Sequence, residues 1–316
     1  MSTSIEWAQE TLNFAVGCTR VSDGCRNCYA ERFVHRQMQE AHKGLTVMRN
    51  GGPGWNGTVR FLPERLSEAT RWKKGKRIFV NSLSDTFHPS LSHQQRLAMF
   101  GAFVAAPQHV WMVLTKRPEV AVDFERWLIA EGEREHMTFR ELAVRAYCEA
   151  VKMPDHWRSF ERTIPTHGHA WWIGVTAENQ QEADRRIPKL LSLTLLPTVR
   201  FVSYEPAIGP VRFDRIGDDE MGATYDALRG CMSGDHEHSG GPRLGWVIVG
   251  GESGHGARPF DIAWARSVVA QCKAAGTPVF YKQGGASNRC EHSSKGACLD
   301  CAPPELRVRE FPGGAT

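Results

Sequence analysis

The chain has 316 residues, enough for one large α/β barrel or two ordinary domains. Its 39 basic and 35 acidic residues leave a formal charge of +4, compatible with nucleic acid or a phosphorylated substrate but far from a histone-like composition. The amino terminus lacks the apolar core of a signal peptide, and no apolar run is long enough to cross a bilayer. We therefore expect a cytoplasmic protein with no membrane partner.

Six short apolar runs predict β-strands. They span residues 77–85, 109–118, 170–179, 199–206, 245–254 and 277–285, and a seventh strand is expected near 11–17. Because the runs are apolar almost throughout instead of alternating, they are typical of parallel strands buried on both faces.

Helices are predicted between these strands. Ser92 with Gln95 forms a capping box, Asn179 with Glu182 begins a second helix, and Asp261 begins a third. Strands that alternate with helices indicate an α/β fold with a parallel sheet and right-handed crossovers. We expect a TIM-barrel-like fold, a full or partial β/α barrel, with a doubly wound open sheet as the alternative.

The domain organisation follows from two segments that depart from this alternation. Residues 119–168 form a long charged stretch with helical patterns, which predicts an insertion. Residues 214–244 are polar and rich in glycine, which predicts a mobile loop, and residues 286–316 form a cysteine-containing C-terminal segment. A single domain, residues 1–316, is the simplest interpretation.

Six of the nine cysteines fall into two groups, which in a cytoplasmic protein indicate metal ligands or catalytic groups and not a disulfide framework. The first group, Cys18, Cys25 and Cys28, has the spacing C-x6-C-x2-C, and Gly17 and Gly24 each precede a cysteine. Glycine permits the tight turns that would bring three sulfurs to one centre. A helix is expected after Cys28, and its dipole favours a thiolate there.

Three cysteines do not complete the usual zinc site. A structural zinc ion normally has four protein ligands, whereas a cluster held by three cysteines keeps one metal corner open for a substrate or cofactor. The alternative is a zinc site with His35 or another residue as the fourth ligand. The spacing alone favours neither, since both metals bind thiolates.

The second group, Cys290, Cys298 and Cys301, has the spacing C-x7-C-x2-C with His292 inside it. Zinc, with His292 or Cys231 as the fourth ligand, and an auxiliary iron–sulfur cluster both fit these residues. Zinc is favoured because a short hydrophilic loop needs a stabilising ion more than a second redox centre. Three free thiols are the remaining alternative.

Polar residues follow almost every predicted strand. In a parallel barrel the site lies at the carboxyl ends of the strands, so we expect these residues to surround it. The set comprises Asn81, Ser82, Asp85, Thr115, Lys116, Arg117, Thr176, Glu178, Asn179, Tyr204, Glu205, Gly250, Gly251, Glu252, Ser253, Lys282 and Gln283. Some of them are alternatively helix caps, as we expect for Asn179.

Nine segments, in order along almost the whole chain, closely resemble the phage Gp37/Gp68 family, also called DUF5131. They are GCTRVSDGCRNCYAERF, NSLSDTFHP, VLTKRPE, WIGVTAENQ, ADRRIP, VRFVSYEPAIGPV, WVIVGGESGHGARP, VFYKQGG and LRVREFP. This family is similar to radical-SAM enzymes.

The resemblance implies that Cys18, Cys25 and Cys28 bind three irons of a [4Fe–4S] cluster at the mouth of the barrel. S-adenosylmethionine would chelate the fourth iron, and one electron would cleave it to a 5′-deoxyadenosyl radical that abstracts hydrogen from a substrate. The first cysteine gap is longer than the common radical-SAM spacing C-x3-C-x2-C.

The same resemblance implies roles for the strand ends in binding the cofactor. Gly250-Gly251-Glu252 is similar to the methionine-binding GGE motif of radical-SAM enzymes, although here it follows a late strand. Glycine would let the backbone approach the cofactor, and Glu252 would accept a hydrogen bond from an amino or hydroxyl group. Lys116 and Arg117 would hold a carboxylate or phosphate.

Three functions are therefore compared. The first is a radical-SAM enzyme that uses an electron donor and acts on a small molecule, for which the phage context indicates a nucleotide or nucleic acid. The second is a non-catalytic zinc protein that binds nucleic acid or a protein partner. The third is a redox sensor that has a cluster but does not bind S-adenosylmethionine.

Overall fold

The computed structural model describes residues 5–37, 39–153, 157–166, 170–217, 224–234, 240–254 and 256–314. The strands are β1 (Glu10–Leu12), β2 (Ala15–Val16), β3 (Thr46–Arg49), β4 (Gly52–Trp55), β5 (Arg60–Phe61), β6 (Arg77–Val80), β7 (Val110–Thr115), β8 (Ala170–Thr176), β9 (Val199–Tyr204), β10 (Tyr225–Asp226), β11 (Cys231–Met232), β12 (Trp246–Gly250) and β13 (Val279–Gln283). The α-helices are α1 (Tyr29–Arg36), α2 (His93–Ala105), α3 (Pro118–Glu135), α4 (Phe139–Ala150), α5 (Trp157–Thr163), α6 (Gln180–Ser192) and α7 (Ile262–Ala275).

Seven strands form one parallel sheet in the order β1-β6-β7-β8-β9-β12-β13. The predicted α/β fold with a parallel sheet is confirmed. The order follows the chain and lacks the reversal that defines a doubly wound sheet. Within the described ranges β1 and β13 are the two ends of this order, so closure into a full TIM barrel is not confirmed.

All six apolar runs contain the predicted strands, but the seventh prediction, near residues 11–17, covers two short strands. β1 pairs in parallel with β6, with Leu12 opposite Val80. β2 pairs with β5 in a separate two-stranded sheet. The chain changes direction between them because the Asn81 side chain accepts hydrogen bonds from the backbone N–H groups of Phe14 and Ala15, at 2.8 and 3.0 Å.

The predicted helix starts are confirmed. The Ser92 hydroxyl accepts a hydrogen bond from the Gln95 backbone N–H, and the reciprocal bond of the capping box is also present. Asn179 and Asp261 accept equivalent bonds at the first turns of α6 and α7. The helix expected after Cys28 is α1.

Contacts between residues divide the chain into two compact units. The first unit comprises residues 1–21, 28–172 and 195–198, and the second comprises residues 22–27, 173–194 and 199–316. The single domain expected from the sequence stays a prediction. None of the described helices is both long and apolar enough to cross a membrane.

The first unit contains a core of aromatic and small residues between α2 and α4. Phe103 stacks on Trp111 at 4.6 Å between ring centroids.

The helical stretches predicted within residues 119–168 are α3, α4 and α5, and residues 154–156 and 167–169 lie outside the described residues. Leu142, Ala143 and Ala146 of α4 are buried in the core, and the interpretation of residues 119–168 as an insertion stays a prediction.

The second unit packs around Trp246, which is fully buried in β12 between Phe201 and Phe280. The described part of segment 214–244 contains the β10–β11 hairpin, and the mobility predicted for this segment stays a prediction. Asp226 orders this part, because its carboxylate accepts hydrogen bonds from the backbone N–H groups that follow it in the chain. Residues 218–223 and 235–239 lie outside the described residues.

We expect Gly101→Ala to destabilise the protein. A Cβ at Gly101 in α2 would lie 2.0 Å from the Ala143 carbonyl oxygen and 2.6 Å from the Tyr147 Cβ. Alanine gains about 1 kcal/mol in helix propensity, whereas overpacking costs about 1–3 kcal/mol, so the net change should be a loss. Urea unfolding measures it, with the exposed Gln94→Ala on the same helix as control. A Gly101→Ala protein as stable as the wild type would contradict the close packing of α2 on α4.

Candidate metal and cofactor sites

In the first unit, the loop that carries Cys18 follows β2 and is held by the loop after β6. The Gly17 backbone N–H donates to the Leu83 carbonyl at 3.0 Å, and the Ser84 hydroxyl donates to the Gly17 carbonyl at 2.7 Å. Gly17 has a φ of 98°, and a Cβ there would lie 2.1 Å from the Thr58 carbonyl oxygen. Only glycine fits this position, as the sequence predicted.

Arg117 links Cys18 to Asp85. Its Nη1 lies 3.7 Å from the Cys18 sulfur and 3.0 Å from Asp85 Oδ2. Asp85 also accepts hydrogen bonds from the Thr115 hydroxyl at 2.7 Å and the Lys116 backbone N–H at 3.1 Å. Burial and the Asp85 carboxylate raise the pKa of the Cys18 thiol to about 12, and Arg117 only partly opposes them. A metal at Cys18 would therefore have to displace the thiol proton.

Cys28 immediately precedes α1 and, like Cys18, is partly buried. Both cysteines pack against one apolar cluster, formed by Val16, Ala30, Val34, Leu45, Trp55, Leu62 and Leu83. His35, the alternative fourth ligand, is exposed on α1, and its Nδ1 lies 3.1 Å from the Thr46 hydroxyl. The two thiols thus contact the same apolar cluster in the first unit.

Thr19 and His88 complete the contacts of Arg117, and the sequence analysis did not single them out. Arg117 Nη2 donates to the Thr19 carbonyl and hydroxyl oxygens at 2.8 and 2.7 Å. His88 Nε2 lies 2.9 Å from the same hydroxyl, and its Nδ1 accepts from the Ser90 backbone N–H. Nε2 therefore carries the proton of the neutral ring. Burial and the nearby Arg117 lower the pKa of His88 to about 4.

The other predicted strand-end residues of the first unit contact the neighbouring loop. Asn81 is buried with a φ of 61° and binds the backbone N–H groups of Phe14 and Ala15. The Ser82 hydroxyl lies 3.3 Å from Asn13 Oδ1. Their observed contacts are structural, and their predicted contact with a cofactor stays a prediction.

In the second unit, Glu178 holds segment 22–27, which carries Cys25. Glu178 Oε1 accepts a hydrogen bond from the Ser22 hydroxyl at 2.7 Å. Gly24 lies so close to this carboxylate that a Cβ there would be 2.0 Å from Oε1. Gly24 is therefore required because the Glu178 side chain approaches its backbone closely. The sequence alone does not reveal this reason.

Glu252 holds the other end of the same segment. Its Oε2 accepts from Asn27 Nδ2 at 3.0 Å, and its Oε1 accepts from Arg258 Nη2 at 2.7 Å. Arg258 also donates to the Asp23 carbonyl. Burial opposes ionisation of Glu252, but the hydrogen bonds from Arg258 and Asn27 outweigh it and lower the pKa.

Arg186 is the cationic partner of Glu178 and is fully buried in α6. It donates through Nη1 to Glu178 Oε2 and to the Thr176 carbonyl, both at 2.7 Å, and its Nη2 forms an ion pair with Glu182 at 2.8 Å. A buried cation requires such partners, because removal of one leaves an uncompensated charge. This residue was not predicted as a site residue from the sequence.

The remaining strand ends of the second unit also pair with protein groups. Glu205 accepts from Lys282 Nζ at 2.9 Å and from the Ser203 hydroxyl at 3.1 Å. Its carboxylate fills the space beside Gly250, where a Cβ would lie 2.5 Å from Oε1. The Tyr204 hydroxyl donates to a backbone carbonyl, and burial raises its pKa.

Gly251 and Ser253 follow in the GGE segment. A Cβ at Gly251 would lie 2.9 Å from the Gly284 carbonyl oxygen and from the Phe260 Cβ. Ser253 is partly exposed. In this structure other groups of the protein pack closely against both glycines of the motif. Their approach to a cofactor stays a prediction.

The second cysteine group forms a candidate metal centre. The donor atoms of Cys290, His292, Cys298 and Cys301 all lie within 4.8 Å of one another, so this set can hold a metal ion. His292 Nδ1 lies 3.2 Å from the Cys301 sulfur. His292 is therefore the member that completes the set, and Cys231, the other predicted fourth ligand, is instead buried in β11.

Hydrogen bonds to sulfur shape this centre. The backbone N–H of Cys301, together with its thiol and the Asp300 N–H, lowers the pKa of Cys298. Hydrogen bonding with Cys290 and Cys298 favours the protonated form of the Cys301 thiol and raises its pKa to about 12. The Cys301 sulfur lies within 4.8 Å of both other sulfurs.

The structure thus brings together the second cysteine group and assigns partners to most strand-end residues. Cys18 and Cys28 belong to the first unit and Cys25 to the second. Convergence of these three sulfurs on one cluster stays a prediction.

Comparison with known proteins adds a family match. The model of a family described as a protein of unknown function, DUF5131, matches residues 2–303, which include both cysteine groups. No curated protein and no solved structure matches the chain significantly.

We expect His88 to make stability depend on pH. With a folded pKa of about 4 against 6.5 for the unfolded chain, only the unfolded state binds the proton between these values, so stability rises with pH in this window. The contribution is at most about 3 kcal/mol. Urea unfolding from pH 4 to 7 should show a weaker pH dependence for His88→Gln, with the exposed His35→Gln as control. Equal dependence in wild type and His88→Gln would contradict the buried neutral imidazole.

Proposed function

The chain belongs to the DUF5131 family, and from that premise we propose that it is an iron–sulfur enzyme of the radical-SAM kind. Cys18, Cys25 and Cys28 would bind a [4Fe–4S] cluster, and S-adenosylmethionine would be the second cofactor. One observation carries the proposal. In each unit, residues at the carboxyl ends of the parallel strands hold part of the cysteine segment, which is where an α/β barrel places its chemistry.

The surroundings of the cysteines suit an iron–sulfur cluster. In the first unit, Cys18 and Cys28 pack against the same apolar cluster, and the guanidinium of Arg117 lies 3.7 Å from the Cys18 sulfur. Soft thiolate ligands in an apolar environment bind iron–sulfur clusters and zinc in preference to hard cations. Asp85, the carboxylate that shares Arg117 with Cys18, is occupied by hydrogen bonds from four protein groups.

The segment that carries Cys25 has a comparable environment in the second unit. Glu178 and Glu252 accept hydrogen bonds from this segment and from Arg186 and Arg258, respectively. Carboxylates that are already paired compete poorly as a fourth metal ligand. This supports a set of three thiolates with one open metal position, as S-adenosylmethionine would require.

The bound cluster would supply one electron for the reductive cleavage of S-adenosylmethionine, so an external one-electron donor is part of the proposal. The protein's own contribution is to hold the cysteines and to stabilise negative charge on sulfur, which Arg117 does in the first unit. Of the predicted strand-end set, Ser82, Lys116, Glu205, Ser253 and Lys282 are partly exposed, and we assign contacts with cofactor or substrate to them. The two lysines favour a phosphorylated substrate such as a nucleotide or nucleic acid.

A second candidate function is favoured by the C-terminal metal centre. A protein that binds only zinc, through Cys290, His292, Cys298 and Cys301, would be a non-catalytic module for nucleic acid or a protein partner. Metal analysis separates the two functions, because only the first requires iron and acid-labile sulfide.

We expect the protein purified without oxygen to be brown and to contain about four iron and four sulfide atoms per chain for a [4Fe–4S] cluster. After reduction with dithionite it should cleave S-adenosylmethionine to 5′-deoxyadenosine and methionine. Cys25→Ala should lose the iron and the cleavage while its circular dichroism is retained, and the buried Cys148→Ala is the matched control. A colourless protein with zinc alone would support the second function, and a Cys25→Ala protein that does not fold would indicate a structural site.

We expect Arg117→Lys to lower the reduction potential of the cluster. Hydrogen bonds to cysteine sulfur stabilise the more negative reduced state, and lysine lacks the planar fork that contacts Cys18, Asp85 and Thr19 together. Redox titration followed by EPR measures the shift, and the exposed Lys74→Met is the charge control. An unchanged potential would show that Arg117 does not act on the cluster.

A further inference from the structure

We propose that Cys290, His292, Cys298 and Cys301 bind a single Zn²⁺, and that this ion holds the loop after β13 in the position that fixes Glu252 at the end of β12. The site shares no residue with the proposed iron–sulfur site. Each can therefore be tested while the other is absent.

The donor set indicates a mononuclear structural site. Three sulfurs and one imidazole nitrogen make four ligands, which is the complete tetrahedral set of structural zinc. With Zn–S bonds of about 2.3 Å, tetrahedral geometry places sulfurs about 3.8 Å apart, which agrees with donor atoms within 4.8 Å of one another. A cubane cluster separates its cysteine sulfurs by the width of the cluster, so this compact set favours one ion.

The loop is shaped to present these ligands. Cys290 and Ser293 exchange backbone hydrogen bonds at 3.0 and 3.1 Å, which closes a tight turn around His292. Gly296 has a φ of 65°, and a Cβ there would lie 2.4 Å from the Asn288 carbonyl oxygen. The loop also exposes Arg289 and other polar residues and has little apolar core, so a bound metal would supply stability that side-chain packing does not.

The same loop is bound to the end of β12. The Gly284 backbone N–H donates to the Gly296 carbonyl, and the Ala286 N–H donates to the Glu252 carbonyl, both at 2.9 Å. A Cβ at Gly285 would lie 2.6 Å from the Glu252 carbonyl oxygen. The backbone of Glu252 is thus fixed by the segment that leads into the metal centre.

Fixing this backbone matters for the Glu252 side chain, which binds Arg258 and Asn27 in the second unit. Without the metal, we expect the loop to lose the Gly284–Gly296 hydrogen bond. The neighbouring hydrogen bond from Ala286 to Glu252 would then be weakened. We therefore infer that zinc acts on Glu252 through the backbone, as a positioning ion and not a catalytic one.

The test uses the full chain with Cys18, Cys25 and Cys28 replaced by alanine, so that the second centre is the metal site examined. Mass spectrometry of metals should find one zinc per chain and no iron, and there should be no sulfide. Cys298→Ser should reduce the zinc at least tenfold. His292→Cys, which keeps four ligands, and Glu291→Gln, which changes a neighbouring exposed residue, should both retain it. Iron with sulfide in this background, or no metal, would overturn the zinc assignment.

The positioning role is tested by hydrogen exchange. Peptides covering 251–258 and 284–297 should exchange at least tenfold faster in Cys298→Ser than in Glu291→Gln. Because Cys298→Ser could simply unfold, the same measurement follows removal of the metal by 1,10-phenanthroline and its restoration with zinc sulfate, which should restore protection. Loss of zinc with unchanged exchange at 251–258 would overturn the positioning role, as would protection that does not return with zinc.

Discussion

Three buried carboxylates, Glu178, Glu252 and Asp85, impose a strong constraint on this structure. An ionised carboxylate removed from water costs several kcal/mol unless cations and hydrogen-bond donors surround it. Glu178, Glu252 and Asp85 are each more than nine-tenths buried. Each is satisfied by an arginine together with a hydroxyl, amide or backbone N–H group. In the second unit these partners include the segment that carries Cys25, so the requirement to neutralise buried charge also orders the candidate ligand.

Local features of the structure could be predicted from the sequence, because their causes lie within a few residues. The strands follow from apolar runs, and the starts of α2, α6 and α7 follow from Ser92, Asn179 and Asp261. His292 was one of two predicted fourth ligands, since it lies inside the second cysteine group. The split between β1 and β2 was missed because it depends on Asn81, which is 66 residues from Ala15 along the chain.

The contacts of the candidate site were harder to predict for the same reason. Ser22 and Glu178 are 156 residues apart in sequence, and Asn27 and Glu252 are 225 residues apart. A carboxylate at a strand end predicts a site, but the pattern does not reveal whether its partner is a cofactor or another part of the chain. Gly250 illustrates the ambiguity. Its missing side chain leaves space for the Glu205 carboxylate, but a glycine that leaves space for a ligand has the same appearance in the sequence.

The separation of 225 residues between Asn27 and Glu252 has a consequence for biosynthesis. At roughly 5–20 residues per second, a ribosome needs about 10 to 45 s to make the chain between them. For most of that interval Cys25 lies outside the ribosome while the carboxylate that holds its neighbour does not yet exist. A scaffold or carrier that delivers metal to the nascent thiols would meet a segment that lacks this contact. Delivery after chain release would meet a preformed one.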